Sequence, residues 1–162
     1  MNVKKVFLIV LISLMLISTA YAAKSVNDFT VDKSYESVYK GNYYSLYLNK
    51  NQDSGIGIYK NVDDDIIDDA DNDDIYENII HDDGREYISA DEDMQLTSNS
   101  DNTSHFKDMD KSTHGISEIV KSDGEEFIVI VFAKDGSNVS DSDLTKLLNG
   151  FNKDNNLSPI TS

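Results

Sequence analysis

One run of seven apolar residues, Phe127 to Ala133, constrains the fold more than any other part of the chain. It is rich in β-branched and aromatic side chains, and it lies between two turn-forming pairs, Asp123-Gly124 and Asp135-Gly136. A strand that is apolar at every position is covered on both of its faces. The run is also far shorter than the roughly 20 residues that a membrane-spanning helix needs. The sequence therefore predicts a central strand with a packing layer on each side.

The first 22 residues have the pattern of a secretory signal peptide. Two lysines precede an apolar run from Val6 to Ile17, and Ala20-Tyr21-Ala22 then places small residues at the positions that signal peptidase recognises. We expect cleavage after Ala22 and a single exported domain over residues 23–162, in a secreted or cell-envelope location. The alternative is an uncleaved anchor, although the apolar run is shorter than a spanning helix.

The chain is strongly acidic and has no cysteine. Its 162 residues carry a formal charge of −16, which becomes −18 when the leader with its two lysines is removed. This charge repels phosphate backbones and anionic lipid surfaces, so neither nucleic acid nor a membrane surface is an expected partner. Without disulfides the domain depends on its core, and a domain of about 140 residues can bury about two-thirds of its unfolded surface.

Two hairpins and a helix follow from local patterns. Tyr43 to Leu48 alternates, and a polar turn leads to a second strand, Gly55 to Tyr59. Ile116 to Val120 precedes a turn that folds it back onto the buried run as a hairpin. Ser140-Asp141-Ser142-Asp143 offers several N-cap oxygens, and four apolar residues with helical spacing then predict an amphipathic helix packed on the sheet. These four residues are Leu144, Leu147, Leu148 and Phe151.

Other stretches give weaker signals. Phe29-Thr30-Val31 and Val38-Tyr39 are short strand-like pieces, and Arg85 to Ser89 is a brief strand. The stretch from Asp91 to Lys111 is polar, and parts of it, especially Thr97 to Ser104, are predicted to form a mobile loop or an irregular edge.

An acidic block from Val62 to Glu77 has nine acidic residues among sixteen. Its apolar residues fall on two different arcs of a helical wheel, which predicts two short helical pieces with a break near Asp71-Asn72-Asp73. Two isoleucines of the block and two that follow it are candidates to cover the second face of the buried strand. These residues are Ile66, Ile67, Ile79 and Ile80.

The same block suggests a calcium loop, because Asp69, Asp71 and Asp73 lie at offsets 1, 3 and 5. The loop also needs glycine at offset 6 and glutamate at offset 12, where this chain has Asp74 and Ile80. A solvated acidic face is the simpler interpretation, so we predict no metal site and keep calcium binding as an alternative.

No catalytic motif is visible. His81, His105 and His114 stand apart without metal-binding spacing and are expected to be ordinary surface or loop residues. Glu125 and Glu126 are adjacent on a strand, so their side chains point to opposite faces. No serine lies in a nucleophile motif. We predict neither catalytic residues nor a cofactor.

Two further features suit an exported surface protein. Four tyrosines between Tyr39 and Tyr47 could line a sheet face and contact a glycan or a protein, although tyrosine is also an ordinary strand residue. Three sequons for N-glycosylation begin at Asn102, Asn138 and Asn156.

The order of these elements resembles a known group of proteins. Phe29-Thr30-Val31, the hairpin through Gly55 to Ile58, the acidic insert, the late strands and the closing helix Leu144 to Phe151 look like small exported proteins of methanogenic archaea. The same order is similar to the α+β sandwich of the photosystem PsbP type. The resemblance implies a fold and a compartment and carries no catalytic residues.

Together these patterns predict an α+β domain with an antiparallel sheet of about five or six strands, a C-terminal amphipathic helix packed on the sheet and an acidic helical insert. The leading hypothesis for function is a non-catalytic binding or interaction domain, with a protein or glycan at the cell surface as partner. The alternatives are a calcium-binding module and an enzyme that acts on a surface polymer.

Overall fold

The computed structural model describes residues 23–60, 94–99, 102–108 and 112–160. These residues form one seven-stranded sheet and a C-terminal helix, α1, with a short 3-10 helix at Val26–Asp28. The strands are β1 (Tyr35–Lys40), β2 (Tyr44–Asn49), β3 (Ser54–Lys60), β4 (Met94–Asn99), β5 (Thr103–Asp108), β6 (His114–Ser122) and β7 (Glu125–Ala133). Helix α1 spans Asp141–Asp154.

The sheet consists of two antiparallel meanders joined at its centre. Its strand order is β1-β2-β3-β7-β6-β5-β4, and every neighbouring pair is antiparallel. The predicted α+β class with an antiparallel sheet is confirmed. The predicted number of five or six strands is too low. Strands β4 and β5 form within the polar stretch from Asp91 to Lys111, parts of which were expected to be irregular.

Strand β7 is buried on both faces, as its sequence predicts. Phe127, Val129 and Val131 point to one face of the sheet, which we call the helix face because α1 packs there against β6 and β7. Ile128 and Ile130 point to the opposite face, which we call the aromatic face. The other buried members of the cluster on the aromatic face are Tyr44, Tyr59 and Phe106.

On the aromatic face, ring side chains lie directly over glycines. An added Cβ at any of three glycines would come within 2.2 to 2.5 Å of a ring carbon, so each ring occupies the space that a side chain would fill. Glycine in a strand often marks such a close approach. The three pairs are Gly55 with Phe132, Gly57 with Tyr59 and Gly115 with Phe106.

The predicted hairpin between β6 and β7 is confirmed and closes with a two-residue turn. Asp123 and Gly124 have φ angles of 54° and 83°. Positive φ at both central residues is the requirement of a type I′ turn, which matches the twist of the flanking strands. The turn therefore sets the register that places Val120 opposite Phe127.

Helix α1 begins where the sequence predicts. The Ser140 side chain accepts a hydrogen bond from the backbone N–H of Asp143, and the Asp143 carboxylate accepts one from the Ser140 backbone, which completes a capping box. Leu144, Leu148 and Phe151 are buried against the helix face. The predicted amphipathic helix is therefore confirmed.

Several predicted elements need correction or lie outside the described residues. Phe29-Thr30-Val31 is not a strand, because it follows the 3-10 helix and places Phe29 in the core. The acidic block, the isoleucines proposed to cover the second face, and Arg85 to Ser89 are outside the described residues. Within the described part of the chain, no helix is long and apolar enough to span a bilayer.

Candidate functional site

A cavity of about 560 Å³ lies on the helix face, at the edge of the sheet where β4, β5 and β6 approach the start of α1. Small-molecule sites usually have volumes between about 300 and 1,000 Å³. Its lining is mostly polar, with Val139 as an apolar member. The polar side chains that matter most are His105, Lys107, His114 and Asp141.

Strand pairing brings the basic residues of the cavity together. Lys107 of β5 lies opposite His114 of β6, and His105 lies opposite Ile116. Ile116 is fully buried in the helix-face core. Because paired residues of antiparallel strands point to the same side, His105, Lys107 and His114 all project from the helix face.

His114 connects the sheet to the beginning of the helix. Its Nδ1 lies 2.9 Å from the carbonyl oxygen of Ser112, and its Nε2 lies 3.4 Å from the Asp141 carboxylate. Both neighbours are hydrogen-bond acceptors, so each ring nitrogen of His114 faces an oxygen atom. His114 therefore forms one wall of the cavity in a fixed orientation.

The rim of the cavity is tied to the loop between β7 and α1. The Ser112 backbone N–H and hydroxyl donate to the same oxygen of Asp135, at 2.9 and 2.8 Å. The Ser112 hydroxyl also accepts from the Gly136 backbone N–H at 2.7 Å. These bonds hold the Ser112 carbonyl oxygen within hydrogen-bond distance of His114 Nδ1.

The start of α1 is already satisfied by its own side chains. The Ser140 hydroxyl donates to the Asp143 carboxylate at 2.6 Å, and Lys146 donates to the other oxygen at 3.2 Å. The hydrogen bonds from Ser140, followed by that from Lys146, lower the pKa of Asp143. The negative charge of Asp143 thus offsets the positive end of the helix. The chemistry of the cavity therefore depends on the side chains that line it.

A second ionisable group is buried under α1, away from the cavity lining. Glu118 of β6 is 8% exposed and accepts a hydrogen bond of 2.6 Å from the side-chain amide of Asn152, which is fully buried. The same amide donates to the Ser158 carbonyl oxygen at 3.0 Å. Burial raises the pKa of Glu118, and the Asn152 hydrogen bond opposes this shift. The pair holds the tail after α1 to the sheet.

We expect Glu118→Gln to stabilise the protein at pH 7 and to lose this advantage near pH 4. The folded-state pKa of Glu118 lies above the ordinary value of 4.5 for a glutamate side chain. Between these two values the folded state binds more protons than the unfolded state, so stability falls as the pH rises through that window. Glutamine carries no charge to bury, and its side-chain oxygen can still accept the hydrogen bond from the Asn152 amide. Urea unfolding of the purified protein measures the effect at both pH values.

The matched control for this substitution is Glu36→Gln on β1, where the carboxylate is exposed. We expect the control to change the free energy of unfolding by less than about 0.5 kcal/mol at either pH. A Glu118→Gln variant that is less stable than wild type at pH 7 would contradict the assigned direction of the pKa shift.

The tyrosines do not form an open platform. Tyr44 stacks between Tyr39 and Tyr59, with ring centroids 4.3 and 5.7 Å apart. Tyr44 is only 3% exposed, and burial, followed by the nearby Tyr39 side chain, raises the pKa of Tyr44 to about 12. Tyr47 points to the helix face and is buried there. The stack is therefore part of the core packing.

The structure changes the interpretation of two histidines. His105 and His114, expected to be unrelated, line the same cavity, whereas His81 lies outside the described residues. Glu125 and Glu126 pair with different lysines, Lys60 at 3.1 Å and Lys121 at 3.3 Å.

The calcium hypothesis for Asp69, Asp71 and Asp73 stays a prediction, because these residues lie outside the described ranges. In the part of the chain that the structure describes, no group of three or more metal-ligating side chains comes together. The sequon asparagines Asn102, Asn138 and Asn156 are exposed.

No protein-family model, no curated protein and no solved structure matches the chain. The resemblance to archaeal exported proteins and to the PsbP type therefore stays a prediction. The site is interpreted from its own geometry.

Proposed function

We propose that the protein is an exported, non-catalytic binding domain and that the cavity beside the start of α1 is its ligand site. One observation carries the proposal: side chains from separate parts of the chain converge on a single concavity. His105 and Lys107 come from β5, His114 from β6 and Asp141 from α1. Residues that regular elements hold in place provide a preformed site, which lowers the entropic cost of binding.

Two features of the sequence support the rest of the proposal. The leader pattern of residues 1–22 supports export to the cell surface or its surroundings. The high negative charge supports solubility there and disfavours nucleic acid as a ligand.

Ligand titration followed by two-dimensional amide NMR tests the proposal. The library would hold neutral sugars, amino acids, carboxylates, phosphates and polyamines, each added to the purified processed protein. We expect at least one class to shift the amides of His105, Lys107, His114 and Asp141 in a saturable way. Shifts confined to the smaller cavity between β1 and α1, which has about 200 Å³, or no saturable shifts at all, would overturn the assignment.

The contact between His114 and Asp141 supports one alternative, an enzyme that acts on a surface polymer. A carboxylate beside a histidine in a concave site is an arrangement used for acid–base chemistry. The two serines of the lining are already engaged, however, because Ser112 donates to Asp135 and Ser140 donates to Asp143. Neither hydroxyl is paired with His114, so the geometry supports binding better than nucleophilic catalysis.

A further inference from the structure

The cavity brings three basic side chains of an acidic protein together. Lys107 lies between His105 and His114 in the strand register, and all three line the cavity. Lys60, Lys121 and Lys146 each have a carboxylate partner within 3.3 Å. Lys107 is exposed, and it has no such partner among the side chains that the structure describes.

Two acidic side chains near the histidines have partners among the described residues. Asp141 lies 3.4 Å from His114, and Asp135 accepts two hydrogen bonds from Ser112. From β4, Thr97 contributes a neutral side chain to the lining. Among the lining residues, His105, Lys107 and His114 are basic and Asp141 is acidic. The cavity therefore has more basic than acidic side chains within a protein whose formal charge is −16.

We infer that this cavity binds the oxyanion group of a small soluble molecule, a carboxylate, sulfate or phosphate, through Lys107 and His105, and that it binds more tightly in mildly acidic solution. The inference rests on the proposed function and names its ligand class. Ammonium and imidazolium donors form short, charge-assisted hydrogen bonds to such oxygens. Histidine side chains generally change charge between pH 5 and 8, so acidification adds positive charge to the lining.

Sulfate is a suitable probe because it stays a dianion throughout that pH range. Any pH dependence of its binding therefore comes from the protein. Amide NMR titrations of the purified processed protein would be run at pH 5.5 and 7.5 with constant ionic strength. We expect saturable shifts around the cavity and sulfate binding roughly tenfold tighter at pH 5.5. Each histidine that gains a proton adds a positive charge at short range from the bound sulfate in a partly buried site.

Substitutions distinguish sulfate binding at a defined site from general electrostatic attraction to the protein surface. We expect Lys107→Gln to weaken sulfate binding at least about tenfold at pH 5.5, and His105→Gln to reduce the pH dependence. The matched control is Lys50→Gln, which removes the same charge from the exposed turn between β2 and β3. This control should leave the affinity unchanged within about twofold, since exposed and distant charges are screened by salt.

The outcomes distinguish this inference from the proposed function. If neutral sugars shift the cavity amides and sulfate does not, the oxyanion inference is wrong and the binding site stands. If sulfate shifts are spread over the surface, or respond equally to Lys107→Gln and Lys50→Gln, no oxyanion site is built there and the inference is also wrong. If no ligand of any class reaches the cavity, both proposals fail together.

Discussion

Phe127→Ala is expected to lower the free energy of unfolding by about 3 to 5 kcal/mol, the usual loss for a buried phenylalanine. The Phe127 side chain has no exposed surface. Its ring meets that of Phe29 edge to face at 4.9 Å, and Phe29 stacks on Phe151 at 5.6 Å. The three rings join β7, the segment before β1 and helix α1. Removing the Phe127 ring opens a cavity between these elements.

Urea unfolding followed by circular dichroism measures this loss. The matched control is Val38→Ala on the edge strand β1, where the side chain is 53% exposed. The control should change the free energy of unfolding by no more than about 0.5 kcal/mol. Equal losses for the two variants would mean that the core is not organised around β7.

The elements with strong local patterns could be predicted from the sequence. Residues Phe127 to Ala133 of strand β7 are all apolar because both faces of the strand are covered there, and that pattern does not depend on knowing its neighbours. The turn at Asp123-Gly124 fits its positive φ angles, so the β6–β7 hairpin also followed from local signals. Helix α1 combined a capping residue, Ser140, with apolar residues at helical spacing.

The edge of the sheet could not be predicted in the same way. Strands β4 and β5 are polar along much of their length, because an edge has less apolar surface to bury and is defined by backbone hydrogen bonds to a neighbour. Such bonds leave little trace in residue type. Parts of the stretch from Asp91 to Lys111 were therefore predicted to be irregular. In the structure, Phe106 alternates with His105 and Lys107 along strand β5.

Missing β5 also concealed the candidate site. His105 and Lys107 are two residues apart and share a face only if the segment is a strand. His114 joins them only in the β5–β6 register, in which it lies opposite Lys107. The available signal was the alternation from Ser104 to Lys107 followed by a short polar connection to a confirmed strand. Asp141 could not have been assigned to the cavity from the sequence, because its position depends on where the start of α1 packs.

The glycine substitutions test the packing of the aromatic face most directly. We expect Gly115→Ala to lower the free energy of unfolding by about 2 to 3 kcal/mol, because overpacking a dense core forces its neighbours to shift. A Cβ at this position would lie 2.2 Å from the Phe106 ring and 2.7 Å from the backbone oxygen of Val131. The ring can turn away, but the oxygen belongs to β7, the central strand. The strand pairing itself would therefore have to move.

Two other glycines provide matched controls for the same chemical change. At Gly57 the three nearest atoms to an added Cβ all belong to the Tyr59 side chain, so a rotation of that ring can relieve part of the clash. At Gly150, on the exposed side of α1, an added Cβ meets nothing within 4 Å. Gly150→Ala should raise stability by up to about 1 kcal/mol, the difference in helix propensity between the two residues. Urea unfolding should rank Gly150→Ala above wild type, Gly57→Ala below it and Gly115→Ala lowest. A Gly115→Ala variant as stable as Gly57→Ala would show that the contact with the Val131 backbone does not restrict this position.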